Sequence, residues 1–464
     1  MKTNSKLLAL TASAMTLPGI VLQAQATSAP VESEVGYRLS GYFESDIPEE
    51  RVITGTNERY DILVNQFHLL HPINDHAVIT YEGTLETLSG ASQYFSTYVD
   101  NNDNGQFDAD VDSVGVHMSG ASIEEMRIDS YVGARFYKSK TEESEAAGNY
   151  GGKVGFSLEN DYLSLTIAAD GAMEFDDAHT TLAAGASYSH DTLSPTPASD
   201  TVAAIDDNTA PGRKYASIYD KRNSMSVFVG VGQIVNPTMV VQANASFTLK
   251  LGSGVLTDPY REYNSMAIDS RPGTRAMFTF STGLRKALPD IDTAIHADYR
   301  FYWDDWGILS NTISLAWQPR FIVDTDAAEG VMAHLSDNDV AFDISPTLRY
   351  YHQTSSSFYE ILSEDDFINL IGDGVVDTNT GDEYLFLYQD SNGEQIYSSN
   401  DPRLAAYGAI SGGMGLRVEY LDFAFVSNFE LYTSSPGLGI QNRDQELHNA
   451  MDYFRFSVGF DYKF

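Results

Sequence analysis

The chain has 464 residues and carries 28 Lys and Arg against 65 Asp and Glu, a formal net charge of −37. So acidic a chain offers no basic face for phosphate, which excludes nucleic acid as a partner, and 12% aromatic with 42% apolar content excludes a disordered chain. Cysteine is absent, removing disulfides, thiolate metal sites, iron–sulfur clusters and cysteine nucleophiles together.

The N-terminal segment reads as an address. Lys2 and Lys6 precede an apolar stretch from Leu7 to Leu22, and Ala24-Gln25-Ala26 supplies the small-x-small pattern that signal peptidase cuts. This predicts a secretory signal peptide over 1–26 and Sec export. Pro18 and Gly19 interrupt the run, which argues against a membrane anchor. Beyond it, no apolar run approaches the roughly 18 residues of a membrane helix.

The remainder, 27–464, alternates apolar and polar residues at the period of a strand. Met126, Ile128, Val132, Ala134 and Phe136 oppose Arg127, Asp129, Tyr131, Arg135 and Tyr137. Ile291, Thr293, Ile295, Ala297, Tyr299, Phe301 and Trp303 oppose Asp292, His296, Asp298, Arg300 and Tyr302. Leu404, Ala406, Ile410, Met414, Leu416 and Val418 oppose Arg403, Tyr407, Ser411, Arg417 and Glu419. At the end of the chain, Phe454, Phe456, Val458, Phe460, Tyr462 and Phe464 oppose Tyr453, Arg455, Asp461 and Lys463. The apolar face is almost free of charge. In a soluble sandwich it would pack on a second layer; in an outer membrane it faces lipid while the charged face lines a lumen.

About sixteen such segments follow one another: 34–45, 58–71, 75–88, 124–137, 150–159, 161–175, 178–190, 223–235, 237–251, 274–287, 290–303, 307–320, 342–353, 403–419, 421–432 and 452–464. A sheet in lipid must close so that no backbone group is orphaned, and an even number returns both termini to one side. The predicted fold is therefore all-β: a single transmembrane antiparallel β-barrel of about sixteen strands, fourteen to eighteen at the limits. Short links at 71–75, 235–237, 288–290 and 419–422 would be periplasmic. Long links near 89–123, 191–222, 252–273, 354–402 and 433–451 would be extracellular. The links 138–149 and 321–341 are long for the periplasmic side.

The link 89–123 contains Asp100-Asn-Asn-Asp-Asn-Gly-Gln-Phe-Asp-Ala-Asp-Val-Asp112. Asp100, Asn102, Asn104 and Asp108 stand at positions 1, 3, 5 and 9 of an EF-hand-like loop, Gly105 at the sharp turn and Gln106 at position 7. Hard oxygens at this spacing suit calcium. Position 12 is Val111, so Asp110 or Asp112 must substitute. A calcium-stapled extracellular loop and a plain solvated acidic turn both remain open. The acidic link 354–402 is a looser echo of the same composition.

Tyrosine occurs 28 times. Tyr37, Tyr42, Tyr137, Tyr302, Tyr350, Tyr351, Tyr453 and Tyr462 fall near strand ends, the expected place of interfacial girdles. Phe460, Tyr462 and Phe464 resemble the C-terminal signal by which outer-membrane proteins are handed to the barrel-assembly machinery. Three further blocks carry a more particular likeness: Tyr299-Arg-Phe-Tyr-Trp-Asp-Asp-Trp-Gly-Ile308, Leu348-Arg-Tyr-Tyr-His-Gln353 with Phe358-Tyr359, and Ser398-Ser-Asn-Asp-Pro-Arg-Leu-Ala-Ala-Tyr-Gly-Ala409. These resemble domain-of-unknown-function family 3570, uncharacterised bacterial outer-membrane proteins. The resemblance implies a barrel and no reaction.

No G-x-S-x-G, H-E-x-x-H or P-loop is present. His296 beside Asp298 is a candidate hydrolase base, weighed against a lumen histidine in a polar network, which fits better. Asp304 and Asp305, between Trp303 and Trp306, form either a binding edge or a tight acidic hairpin. The expected lumen charges are Arg127, Asp129, Arg135, Asp292, His296, Asp298, Arg300, Arg349, Arg417, Glu419 and Arg455, with Arg38, Arg275, Arg285 and Arg403 in the same rows. The sequence thus predicts a non-enzymatic, porin-like channel or transport component for small polar or cationic solutes. The alternative is a scaffold barrel with a filled lumen and partner-binding loops. Lipid is the expected partner, and the oligomeric state is open.

Overall fold

The computed structural model describes residues 29–91, 93–99, 101, 113–118, 123–138, 147–160, 162–175, 179–193, 220–252, 269–323, 340–363, 375–376, 383–384, 397–399, 401–440 and 451–464. Sixteen long strands make one closed antiparallel barrel. They are β1 (Glu34–Glu44), β2 (Asp61–Asn74), β3 (Ala77–Gly90), β4 (Ile123–Lys138), β5 (Ala147–Leu158), β6 (Tyr162–Phe175), β7 (Thr180–Leu193) and β8 (Asp220–Asn236). Then follow β9 (Met239–Gly252), β10 (Thr274–Leu288), β11 (Thr293–Asp304), β12 (Leu309–Val323), β13 (Val340–Gln353), β14 (Tyr407–Tyr420), β15 (Phe423–Ser435) and β16 (Met451–Lys463). Each pairs with its neighbours in the chain, and β1 closes on β16 from Glu34↔Lys463 to Glu44↔Tyr453.

The alternation in the sequence becomes two faces because paired residues point the same way. One row runs Arg38, Gln66, Thr84, Asp129, Ser157, Ser164, Asp191, Arg222 from β1 through β8 without an apolar side chain. The adjacent row, one residue away, runs Leu39, Asn65, Leu85, Ile128, Leu158, Leu163. The first row faces inward and the second outward, and a one-residue slip would exchange them. The outward face is a belt of exposed Leu63, Phe67, Leu165, Val229, Ile313, Leu315, Trp317 and Leu431.

All sixteen predicted segments become barrel strands. The segment 403–419 starts late: Pro402–Leu404 is a 3-10 turn and β14 begins at Tyr407. Asp292 was expected in the lumen row but stands in the turn after Pro289–Ile291, exposed, at φ 44. Pro289 ends β10's register there, and Asp tolerates the left-handed conformation that follows. Between β12 and β13 the ladder lapses from Trp317 to Pro319, opposite Pro346, since neither proline has an N–H to give.

Turns at the end holding Ser33 and Phe464 are mostly tight; Asn74 and Asn236 close two of them by accepting the N–H of His76 and Thr238. The longer links 139–146 and 324–339 share this end. At the other end the links build structure of their own. Val52–Thr54 lies parallel to Ser113–Met118, which pairs antiparallel with Gln93–Val99, which runs parallel to Leu362–Ser363. Ile47, Ala91, Val116 and Met118 form a small core beneath this sheet.

Candidate functional site

Because the outward face carries almost no chemistry, the inward wall is the candidate site. Its charges pair across strands. Arg135 meets Asp170 at 2.6 Å, Arg285 meets Asp298 at 2.7 Å, and Arg455 meets Glu430. Near the terminus end a chain of alternating sign runs Asp343, Arg320, Glu419, Arg417, Asp461, His68, Glu34, with contacts of 2.7 to 3.9 Å. The wall carries cations and anions in comparable number, so the surplus behind the net −37 sits in the connections.

Glu34, His68 and Asp461 bring three ligand-type atoms within 4.8 Å of one another at the seam that closes the barrel. Sequence reasoning missed this group because the three residues lie on β1, β2 and β16. Ion pairing with Arg417 and hydrogen bonding between His68 and Glu34 account for their approach.

A recess of about 480 Å³ opens in the wall between β4 and β8. Arg127 stands at one side, paired with Glu86 at 2.9 Å and with Asp129 and Glu159 at 3.5 Å. Arg222 stands at the other, paired with Asp191 at 2.7 Å, which also accepts from Ser164. Thr166 and Ser189 hydrogen-bond each other between them. Every residue lining it carries a polar side chain.

Half a circumference away, across β11, β13, β14, β15, β16 and β1, six half-exposed tyrosines form an arc on the inward face: Tyr302, Tyr351, Tyr407, Tyr432, Tyr453 and Tyr42. Ring centroids are 4.8 Å apart for Tyr42 and Tyr453, 4.3 Å for Tyr432 and Tyr453, and 5.6 Å for Tyr351 and Tyr407. Three hydroxyls donate to the residue two places on: Tyr42 to Glu44, Tyr302 to Asp304, and Tyr351 to Gln353. That spacing keeps donor and acceptor on one face of a strand.

This corrects the girdle expectation. Tyr42, Tyr137, Tyr302, Tyr351 and Tyr453 turn inward, whereas Tyr37, Tyr350 and Tyr462 remain outside. Position along a strand sets depth, but parity sets the face. The signal was present: Tyr42, Tyr302, Tyr351 and Tyr453 share parity with Arg38, Arg300, Arg349 and Arg455.

The three family-like blocks meet at the loop end of β11 to β14. Asp304 is fully buried and accepts from Arg275 at 2.6 Å, Tyr302 at 2.7 Å, and the backbone N–H of Trp306 and Ile308. Gly307 takes φ +95 in the turn so formed. Trp306 packs edge-on against Phe358, with Ile308 and Leu404 beside it. Gln353 donates to the carbonyls of Arg403 and Ala405, and Asp401 binds both buried Arg271 and Arg403. Asp304 and Trp306 are thus the interior of a knot, not an exposed binding edge. Asp305 instead bonds the backbone of Ala276, and Trp303 faces outward.

Of the expected lumen charges, Arg127, Asp129, Arg135, His296, Asp298, Arg300, Arg349, Arg417, Glu419 and Arg455 lie on the inward face. Arg403 belongs to the knot. His296 is 3% exposed, and the carboxylate of Asp298 beside it is engaged by Arg285. The calcium-type residues Asp100, Asn102, Asn104, Gln106, Asp108 and Asp112 lie outside the described residues, as does the signal peptide. The backbone of Phe464 pairs in both directions with Ser33, sealing the seam.

Three similar solved structures are a bacterial polysaccharide outer membrane secretin, OccAB3 of Acinetobacter baumannii, and the CymD monoaromatic hydrocarbon channel. Their identities to this chain are 8%, 9% and 7%, with TM-scores of 0.42, 0.32 and 0.37. The matches cover 93%, 94% and 93% of this chain and 98%, 99% and 88% of those chains. None reaches a TM-score of 0.5, so the fold rests on the strand pairing described above. No functionally curated protein matches the chain. The model of the protein family of unknown function 3570 matches residues 7–442, and the chain belongs to that family.

Proposed function

We propose that the protein is an outer-membrane β-barrel acting as a passive channel or transport component for small polar or cationic solutes. One observation carries this reading: neighbouring hydrogen-bonded rows around a closed sixteen-strand ring alternate between a polar inward wall and an apolar outward belt. Hydrocarbon covers the belt at a gain of about 25 cal/mol per Å². Sixteen strands enclose a ring wide enough for water. Acidic connections at the rims raise the local concentration of cations.

The reading extends to export through Sec with loss of 1–26, to hand-over of the Phe460, Tyr462, Phe464 terminus to the assembly machinery, and to lipid as the standing partner. It assigns no catalytic role: buried His296 stands beside the Asp298–Arg285 ion pair, an arrangement that fits a polar network in the wall. The second reading, a scaffold with docking loops, draws support from the sheet that the links 45–60, 91–122 and 354–406 build at the loop end.

Planar-bilayer recording with purified protein tests the first reading. Stepwise conductance and a reversal potential favouring potassium over chloride are expected. Absence of conductance in any salt would overturn the channel and leave the scaffold.

A further inference from the structure

The inward arginines divide into two groups. Arg127, Arg135, Arg222, Arg275, Arg285, Arg320, Arg417 and Arg455 each hold a carboxylate. Arg38, Arg300 and Arg349 do not: among the described residues, no carboxylate lies within 4.0 Å of any of them. Arg38 pairs in register with Gln66 and Gly459, outside the tyrosine rows, which leaves Arg300 and Arg349. Both stand in the tyrosine arc. Arg300 pairs in register with Thr312, and Thr312 with Tyr351. Arg349 pairs with Ser411, Ser411 with Tyr432, and Tyr432 with Tyr453. The carboxylates in and beside the arc are already spoken for: Glu44 by Arg59 and Tyr42, Asp298 by Arg285, Asp304 by Arg275 and Tyr302, Glu430 by Arg455.

From this juxtaposition we infer that the arc is a binding site for a small carboxylate with a flat or apolar face, its carboxylate on Arg300 and Arg349 and its face on the tyrosines. A guanidinium matches a carboxylate's two oxygens, and a phenol ring offers apolar surface without leaving a polar tip unsatisfied. Inorganic anions have charge but no face to stack, so they gain less here. The acidic rims can therefore favour cations in simple salt while this site holds one class of organic anion. The inference rests on the lumen reading above but not on conduction, because occupancy can be read in detergent.

The test is calorimetric titration of the purified full-length barrel with benzoate, cyclohexanecarboxylate, glucuronate, acetate and benzyl alcohol. Benzoate is expected to bind, and acetate and benzyl alcohol to bind about tenfold more weakly or worse, each having lost one of two contributions. The cyclohexane and sugar acids show whether an aromatic ring or any apolar face suffices. The double variant R300Q/R349Q should weaken benzoate by about tenfold or more, while Lys153→Gln, on β5 in the opposite wall, leaves it unchanged. Heat-modifiable gel mobility confirms that each variant is folded. Where the double variant does not fold, Tyr432→Ala stands in, with the same loss expected. Benzoate binding that is absent, matched by benzyl alcohol, or unmoved by the double variant overturns the site. Absent conductance with intact binding overturns the channel instead.

Discussion

Tyr37 donates its hydroxyl to the Oδ1 of Asn65 at 2.7 Å on the outward face, between β1 and β2. Asn65 pairs with Leu39 at the middle of β1, deep in the apolar belt, where hydrocarbon offers an amide nothing. Tyr299 serves Asn311 in the same way on β11 and β12. These two outward amides are therefore each matched to a tyrosine on the adjoining strand.

Tyr37→Phe should leave the Asn65 carbonyl unsatisfied and destabilise the barrel by about 1–3 kcal/mol, whereas Tyr37→Phe combined with Asn65→Leu, which removes both polar partners, should be nearly neutral. Urea-induced loss of the folded band on gels of lipid-reconstituted protein reads both. Equal effects of the two changes would contradict the pairing.

Asp304 is buried among Arg275, Tyr302 and the turn it caps. Asp304→Ala strands the Arg275 guanidinium and frees the turn, a loss of about 3–5 kcal/mol. Gly307→Ala adds a Cβ at φ +95, 3.3 Å from the Ser357 backbone nitrogen, and should cost about 1–3 kcal/mol. Both should raise protease sensitivity in 354–406 before the barrel itself melts, as limited proteolysis with mass spectrometry would show.

His117, in the loop-end sheet, lies between Thr54 and Thr97, and burial pushes its pKa down to about 4 from an ordinary 6.5. The folded sheet thus binds fewer protons than the unfolded one. Its stability is full above pH 6.5 and falls as pH drops from 6.5 towards 4, by up to about 1.4 kcal/mol per unit. Proteolytic opening of 91–122 should accelerate over that window, and His117→Gln should flatten the dependence.

If the loop 100–112 holds calcium, millimolar calcium should slow cleavage within it, and Asp100→Ala should abolish the protection. Equal cleavage with and without the ion would leave it a solvated turn.

Strand number, chain order and the two faces were legible in the sequence, because period-2 alternation is a local property and antiparallel neighbours follow one another in the chain. Parity with Arg38, Arg300, Arg349 and Arg455 even marked the inward tyrosines, although strand-end position suggested a girdle. What the sequence alone left open was who meets whom across the ring. Tyr42 and Tyr453 touch because β1 closes on β16, and Asp304, Gln353 and Asp401 share a knot because β11 to β14 arrive side by side. Which arginines find a carboxylate depends on register and on side-chain reach across strands, and only the closed barrel decides both.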